Sequence, residues 1–447
     1  GKIQGKLSLF NLNGEKIGSS SFTLPVDEQR DIYINKLLTE LCAKNNNACK
    51  GFDDLDGNGF IDTYGLIKIE YNDSDPDQIL FCSVSHYKAL NENYSFAFAR
   101  EFLDPQIGTT HTIANTFDPQ NMGQVVPNWA EVINLDPENY RKFVYRLYDQ
   151  DGKRVLSEEI DVPPLGERDL AAGHSITGAD NLPVQAVYLV EVIPDNDQAP
   201  YLFSVSRYAP SADGDGQYAY AFTASSRKGG QRPISLEATN SQFGLKNIAT
   251  TNWIEVVNTS SQTATYELMF YDGAGVLQRS KTEELNSRSQ RHYHVPSEME
   301  NSEFGVVKII PKKGELIAQS MVYLADRTSR FLQTAYSTQG YTESVNAEWV
   351  ASFNTFLGME NGLRLLSLRN ASKTISYRAQ SFAGVTFQDK IKLAQNGSIY
   401  IPVDEKSGGH MPSEAYGKTV VGSDLSGDLV GHLLRVHKTS SGAIDYV

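Results

Sequence analysis

Asn128-Trp-Ala-Glu-Val-Ile-Asn134 recurs 124 residues further on as Asn252-Trp-Ile-Glu-Val-Val-Asn258. In both stretches apolar and polar residues alternate, which is the period of a half-buried β-strand rather than of a helix. A polar turn and a second alternating run follow each. These runs are Phe143-Val-Tyr-Arg-Leu-Tyr-Asp-Gln-Asp-Gly152 and Tyr266-Glu-Leu-Met-Phe-Tyr-Asp-Gly-Ala-Gly275. Their Asp/Gly endings supply the turn that reverses the chain. Leu7-Ser-Leu-Phe-Asn-Leu-Asn-Gly14 repeats the second run, and Asn370-Ala-Ser-Lys-Thr-Ile-Ser-Tyr377 with Ala383-Gly-Val385 repeats it more loosely.

The series continues in register. A strand with an Arg entry appears as Gln29-Arg-Asp-Ile32, Glu167-Arg-Asp-Leu170 and Gln290-Arg-His-Tyr293, with Ser398-Ile-Tyr400 as its weakest copy. Tyr64-Gly-Leu-Ile-Lys-Ile69, Phe304-Gly-Val-Val-Lys-Ile309 and Tyr416-Gly-Lys-Thr-Val-Val421 open the next strand, for which Val184–Val190 is the remaining copy. A closing pair follows, marked by Ser83–Tyr87 and Tyr94–Phe98 and by Ser204–Tyr208 and Tyr218–Phe222; Ser320–Tyr323 marks the first of a third such pair. A fixed strand order repeated along a chain is the signature of tandem units. The expected architecture is all-β: four antiparallel β-sandwich units of about seven strands each, spanning 1–108, 109–232, 233–341 and 342–447. The first unit lacks the Trp-x-Glu-Val-x-Asn strand, so it is expected to be incomplete at its N-terminus. Either upstream residues have been removed, or a strand from another copy or a partner adds at the uncovered edge. Short linkers predict a semi-rigid rod.

Composition narrows the function. A net charge of −14 and a pI near 5.1 disfavour nucleic acid, whose binding needs Lys and Arg to neutralise phosphates. No apolar run reaches the roughly 20 residues that span a bilayer, so the expectation is a soluble, mature or trimmed product. Three cysteines are present. Cys42 and Cys49 lie in one polar stretch and are expected to form a local disulfide, which places the chain in an oxidising compartment, secreted, periplasmic or at the cell surface.

An insertion at about 36–63, absent from the other units, carries Asp54-Leu-Asp56-Gly-Asn58-Gly-Phe60-Ile-Asp62. Calcium takes six to eight oxygens, and acidic or amide residues at alternate positions with glycines between let a loop converge them. Asp54, Asp56, Asn58, the Phe60 carbonyl and Asp62 are the candidate ligands; the alternative is a solvated Asp/Gly turn. These nine residues resemble the calcium loops of EF-hand, dockerin and thrombospondin type 3 families. Where an EF-hand would place a bidentate Glu, Gly65 stands in the register of Gly305 and Gly417, so two flanking helices are not implied. One short helix is expected at Ile32–Leu41, and the disulfide would brace the loop.

Other groups invite bland readings. Cys82, in the register of Phe203, is expected to be a small buried hydrophobe. His292 and His294 share a strand face but lack a third metal ligand nearby, and a solvent-facing position is expected. The alternations Tyr94/Phe96/Phe98 and Tyr218/Tyr220/Phe222 are expected to pack into cores. No nucleophile elbow, His-Glu-x-x-His, Walker loop or dinucleotide fingerprint occurs.

The repeated plan resembles the immunoglobulin-like modules strung along bacterial surface and exported proteins. The resemblance implies a non-enzymatic structural or adhesive role outside the cytoplasm, with a protein or glycan partner. Carbohydrate binding through exposed aromatics is the alternative, and an extracellular hydrolase is a third reading.

Overall fold

The computed structural model describes every residue except 1, 26–27, 55–58, 62, 73–79, 81, 91–92, 117–125, 174–185, 211–217, 241–247, 300–302, 327–331, 343–347, 369–370, 424–428, 439–443 and 447, and the backbone alone of 87–90, 93–99, 101, 210, 218–219, 248, 326, 357, 438 and 444–446. The regular elements of the described residues are almost all strands, and every paired strand is antiparallel.

The first section contains β1 (Lys2–Asn11), β2 (Lys16–Pro25), α1 (Ile34–Cys42), β3 (Gly65–Tyr71), β4 (Ser83–Leu90) and β5 (Asn93–Glu101). The second contains β6 (Thr110–Asn115), β7 (Asn128–Asn134), β8 (Arg141–Tyr148), β9 (Arg154–Val162), β10 (Glu167–Ala171), β11 (Val187–Pro194), β12 (Tyr201–Pro210) and β13 (Tyr218–Ser225). Then follow β14 (Ile234–Thr239), β15 (Ile248–Asn258), β16 (Ala264–Asp272), β17 (Leu277–Leu285), β18 (Gln290–His294), α2 (Val295–Glu298), β19 (Phe304–Lys313), β20 (Leu316–Asp326) and β21 (Leu332–Gln339). The last section holds β22 (Glu348–Asn354), β23 (Glu360–Ser367), β24 (Lys373–Ser381), β25 (Thr386–Leu393), β26 (Ser398–Pro402), β27 (Tyr416–Ser423), β28 (Leu429–Lys438) and β29 (Ile444–Tyr446).

One connectivity recurs three times. The sheets β6-β11-β8-β9 and β10-β7-β12-β13 are matched by β14-β19-β16-β17 and β18-β15-β20-β21, and by β22-β27-β24-β25 and β26-β23-β28-β29. Each pair encloses its own core, because alternate residues of the strands turn inward. Phe143, Tyr145 and Leu147 of β8 meet Val132 and Phe203. Tyr266, Leu268 and Phe270 of β16 meet Ile254 and Val307. Ile375, Tyr377 and Ala379 of β24 meet Leu365 and Val421. Eight strands per pair replace the expected seven.

In the first section β2-β1-β3 forms one sheet and β4-β5 another. These strands match the third, fourth, sixth, seventh and eighth of the other sections. Residues 29–32, read from sequence as a strand, have no ladder partner and precede α1. The reason is pairing: β10, the equivalent strand, pairs only with β7, and the first section has no copy of β7.

The expected rod is corrected by the packing. The closing strands β5, β13, β21 and β29 lie side by side, and β29 returns to β5, so the sections gather around one another. Apolar contacts join successive sections. Ile113, Tyr148 and Leu189 pack on Val257 and Ile317, and Val306 packs on Leu366 and Val430. Tyr220, buried as expected, sits in such a joint with Met321, Tyr323 and Leu332 rather than in its own sandwich core. The side chains of Tyr94, Phe96, Phe98 and Tyr218 lie outside the described residues.

Candidate functional site

The loop region grows from α1 and the disulfide. The α1 helix begins near the position read from sequence and turns Leu38 and Cys42 inward. Cys42 and Cys49 are bridged, with Cα atoms 5.6 Å apart. Both are buried with Leu7, Leu9 and Ile17, so the bridge is part of a core and not of a polar loop. Thr39 of α1 accepts the Ile61 amide on its Oγ1 at 2.9 Å. The Tyr33 and Phe60 rings meet edge to face with centroids 5.1 Å apart. Asp54 Oδ2 accepts the Gly59 amide at 2.8 Å, which curls the chain back within six residues. Asp56, Asn58 and Asp62 lie outside the described residues. Among the described residues no group of three or more His, Cys, Asp or Glu side chains is arranged to hold a metal.

Cys82 precedes β4 rather than lying within a strand, and it is half-buried with no disulfide. Burial pushes its thiol pKa up, which keeps it a poor nucleophile. His292 does not face solvent: its Nδ1 lies 3.6 Å from Glu255 Oε1 and its side chain is 16% exposed. His294 packs on the Trp253 ring at 4.9 Å and shares a 2.7 Å hydrogen bond with Ser297. The two imidazoles therefore have separate partners.

The recurring residues explain themselves in the structure. Asn128 Oδ1 accepts the Asn115 amide at 3.1 Å and its Nδ2 donates to the Asn115 carbonyl at 3.0 Å, tying β6 of one sheet to β7 of the other. Asn361 does the same for Asn354. Asn258 Nδ2 reaches the carbonyls of Gln262, Leu285 and Asn286 at 2.6, 3.3 and 2.8 Å. Asn134 reaches Asn139, Val162 and Pro163 in the same way. These amides satisfy buried carbonyls that no ladder reaches.

The Glu of the motif works between sections. Arg100 Nη1 of β5 lies 2.8 Å from Glu131 Oε2 of β7. Asn115 of β6 donates to Glu255 Oε1 of β15 at 3.1 Å. The third copy of the motif, in the last section, is Asn361-Gly-Leu-Arg364-Leu-Leu-Ser367, missed in the sequence because Arg364 replaces Glu and Gly362 replaces Trp. There the charge is reversed: Arg364 lies over the Phe304 ring at 4.4 Å, beside Glu237 of the preceding section. Asn361 alone was the available signal.

Each joint also carries a tight turn. The Leu12 carbonyl accepts the Glu167 amide at 2.9 Å, the Gln150 carbonyl that of Gln290 at 3.0 Å, and the Gly273 carbonyl that of Ser398 at 3.2 Å. Gly14, Gly152 and Gly275 sit in these turns with φ of 78°, 88° and 81°. A Cβ there would come within 2.0 Å of the facing carbonyls of Pro164, Ser287 and Gln395. Glycine is needed both for the conformation and for the approach. The facing turns in turn hold Leu165, Arg288 and Asn396 at positive φ.

The second joint is the most charged. Glu191, fully buried, receives Arg288 Nη2 at 2.8 Å, Arg146 Nη1 at 3.2 Å and His111 Nε2 at 3.2 Å, and Tyr148 donates to it at 3.1 Å. Burial works to raise its carboxyl, but the His111 hydrogen bond and the Arg288 charge outweigh it and bring it down to about 2. Close by, Arg207 is buried among the Tyr220, Phe222 and Tyr323 rings and donates to the Tyr323 hydroxyl at 2.9 Å. The first joint has the opposite character: burial, with the neighbouring carboxylates second, raises Glu167 and Asp169.

No protein-family model matches the chain, and no curated protein matches it. Solved structures with some likeness include Thermotoga maritima protein 1070, 15% identical over 27% of this chain and 94% of that one, with a TM-score of 0.20. A tetra-tandem repeat from the extending region of a large adhesion protein is 11% identical over 98% of this chain and 92% of that one, at a TM-score of 0.11. Bacteroides uniformis β-glucuronidase 2 is 11% identical over 55% of this chain and 27% of that one, at 0.12. At such scores none of these likenesses carries an argument about this chain.

Proposed function

We propose that the chain is a non-enzymatic, extracellular structural or adhesive repeat protein of four immunoglobulin-like units, 1–108, 109–232, 233–341 and 342–447. The observation that carries this reading is where the recurring residues go: Asn128, Asn134, Glu131 and their copies serve strand closure and the joints between sections, as do the turn glycines. A chain whose repeated residues hold its parts together is suited to presenting a stiff surface to a protein or glycan partner.

Export is supported by the Cys42–Cys49 bridge, since the cytosol keeps thiols reduced. The loop of Asp54, Asp56, Asn58, Phe60 and Asp62 is read as a structural calcium site, supported by its alternate oxygen ligands and by the curl that Asp54 and Gly59 impose. Among the described residues the outer edges of β3 and β4, which other sections cover with their first two strands, have no ladder partner, a geometry suited to strand addition.

The test is to find the chain in its source cells by surface proteolysis and to map its cysteines without reduction. Recovery outside the cytoplasm with Cys42 and Cys49 bridged is expected. Recovery in the cytosol with free thiols overturns the reading.

A further inference from the structure

In a chain of net charge −14, the stretch Arg227-Lys-Gly-Gly-Gln-Arg232 carries three cations and no acid. It runs between β13 and β14 and is pinned at two points. The Arg227 amide donates to the His111 carbonyl at 2.8 Å and the Gly230 amide to the Leu316 carbonyl at 3.2 Å, and each bond is answered by its reverse. The segment forms one wall of a cavity of about 380 Å³. Small-ligand sites span roughly 300 to 1,000 Å³.

The cavity has two characters. Ile234, Leu316, Ile317 and Ala318, all buried, supply apolar surface. Lys228, Gln231, Arg232 and Thr342 are exposed around it. Among the described residues no Asp or Glu lines it; Glu315, next to Leu316 in the chain, is exposed and outside the lining. Gly230 leaves the space open. Its φ is not in the left-handed region, and a Cβ there would meet only the Arg232 amide nitrogen, 4.0 Å away.

Arg227 gives this space its chemistry. Its Nε donates to Gln339 Oε1, and Gln339 Nε2 donates to the Ser225 carbonyl at 2.7 Å, so neutral partners hold the guanidinium in place. Arg100, Arg146 and Arg288, also between sections, meet carboxylates. Among the described residues Arg227 has no carboxylate partner. Burial pushes its pKa down to about 10, with only the Tyr341 hydroxyl working against that shift, and it remains charged at neutral pH. A desolvated cation without a counter-charge favours the arrival of an anion.

We infer that this cavity binds a small carboxylate with an apolar body, the carboxylate on the Arg227 guanidinium and the apolar part on Ile234, Leu316 and Ala318. The planar fork of an arginine takes both oxygens of a carboxylate at once, and the apolar wall gains from being covered. An inorganic anion leaves that wall wet, and an uncharged molecule leaves Arg227 unanswered. The bound ligand touches the connection after β13 together with β14 and β20, so occupancy fastens the second section to the third. The site depends on neither export nor calcium.

The probe is isocaproate, titrated into the full chain at constant ionic strength and followed by calorimetry. Isocaproamide, the same shape without the charge, and sulfate, a charge without the apolar body, are titrated beside it. Saturable millimolar binding of the acid alone is expected. Arg227→Gln should weaken it by about tenfold or more, the worth of one charge-assisted hydrogen bond. Gly230→Leu should abolish it by filling the space and still melt like the parent, since its Cβ has no atom closer than 4.0 Å. Should Arg227→Gln melt below the parent, Gly230→Leu alone decides. The inference is overturned if the acid shows no saturable binding up to tens of millimolar, if the amide or sulfate binds as well as the acid, or if binding survives Gly230→Leu unchanged.

Discussion

Arg288 Nη2 lies 2.8 Å from Glu191 Oε1, although 97 residues and a boundary between two sandwiches separate them. Arg288 is the positive-φ residue of its turn, and Glu191 points outward from β11. In the next joint the same two positions are held by Asn396 and Lys308, whose Nζ donates to Asn396 Oδ1. The bond survives with its donor and acceptor exchanged between the sections. The turn fixes where the pair must be, and the side chains decide which sections match.

Glu191→Ala leaves the part-buried Arg288 and Arg146 without their fully buried counter-charge. Removing one partner of a buried pair costs about 3 kcal/mol or more, and calorimetric unfolding should show that loss. Glu191→Ala with Arg288→Leu should recover part of it, since the second change removes one of the stranded charges.

Acid acts on two joints in opposite directions. Glu191, held at about 2 when folded, contributes stability that is present above the ordinary Glu value near ~4.3 and is lost as pH falls towards about 2. Glu167, raised when folded, favours the native state below its ordinary value, and that contribution disappears as pH rises through the raised one. Melting temperatures of the parent and Glu167→Gln should therefore diverge in favour of the variant as pH rises from roughly 4 to 7. A constant difference would show that Glu167 does not titrate in this window.

Asn258→Ala strips three carbonyls of a shared donor in a buried corner. A loss of about 2 kcal/mol is expected from denaturant unfolding. Asn258→Asp should be no better, because a carboxylate cannot donate.

If the loop holds calcium, the metal must raise the melting temperature in proportion to occupancy. Excess chelator should lower it, and Asp54→Ala with Asp56→Ala should abolish the response. The Cys42–Cys49 bridge closes so short a loop that its reduction should cost only about 2 kcal/mol. A melting curve unmoved by millimolar calcium would reduce the loop to a turn.

Antiparallel strands and their recurrence were legible because inward residues of one strand must alternate, and because Asn128 and Asn252 each accept the last amide of the preceding strand, Asn115 and Thr239. The cysteine bridge was legible from spacing. The last copy of the motif was not, since Arg364 serves the joint with reversed charge and only Asn361 is retained.

The rod expectation rested on short linkers, which limit how far apart two sections lie but not which faces they turn to each other. A signal was present in Leu189-Val190, Val256-Val257, Val306-Val307 and Leu365-Leu366, adjacent apolar residues on opposite faces of one strand, all buried. A sheet covered on one side has no use for both. Local sequence thus determined strand, turn and repeat, because these depend on residues a few positions apart. Only the tertiary structure decided that His292 faces Glu255, that Tyr220 leaves its own core for a joint, and that Glu191 answers Arg288, because each depends on surfaces that meet only after every sandwich has closed.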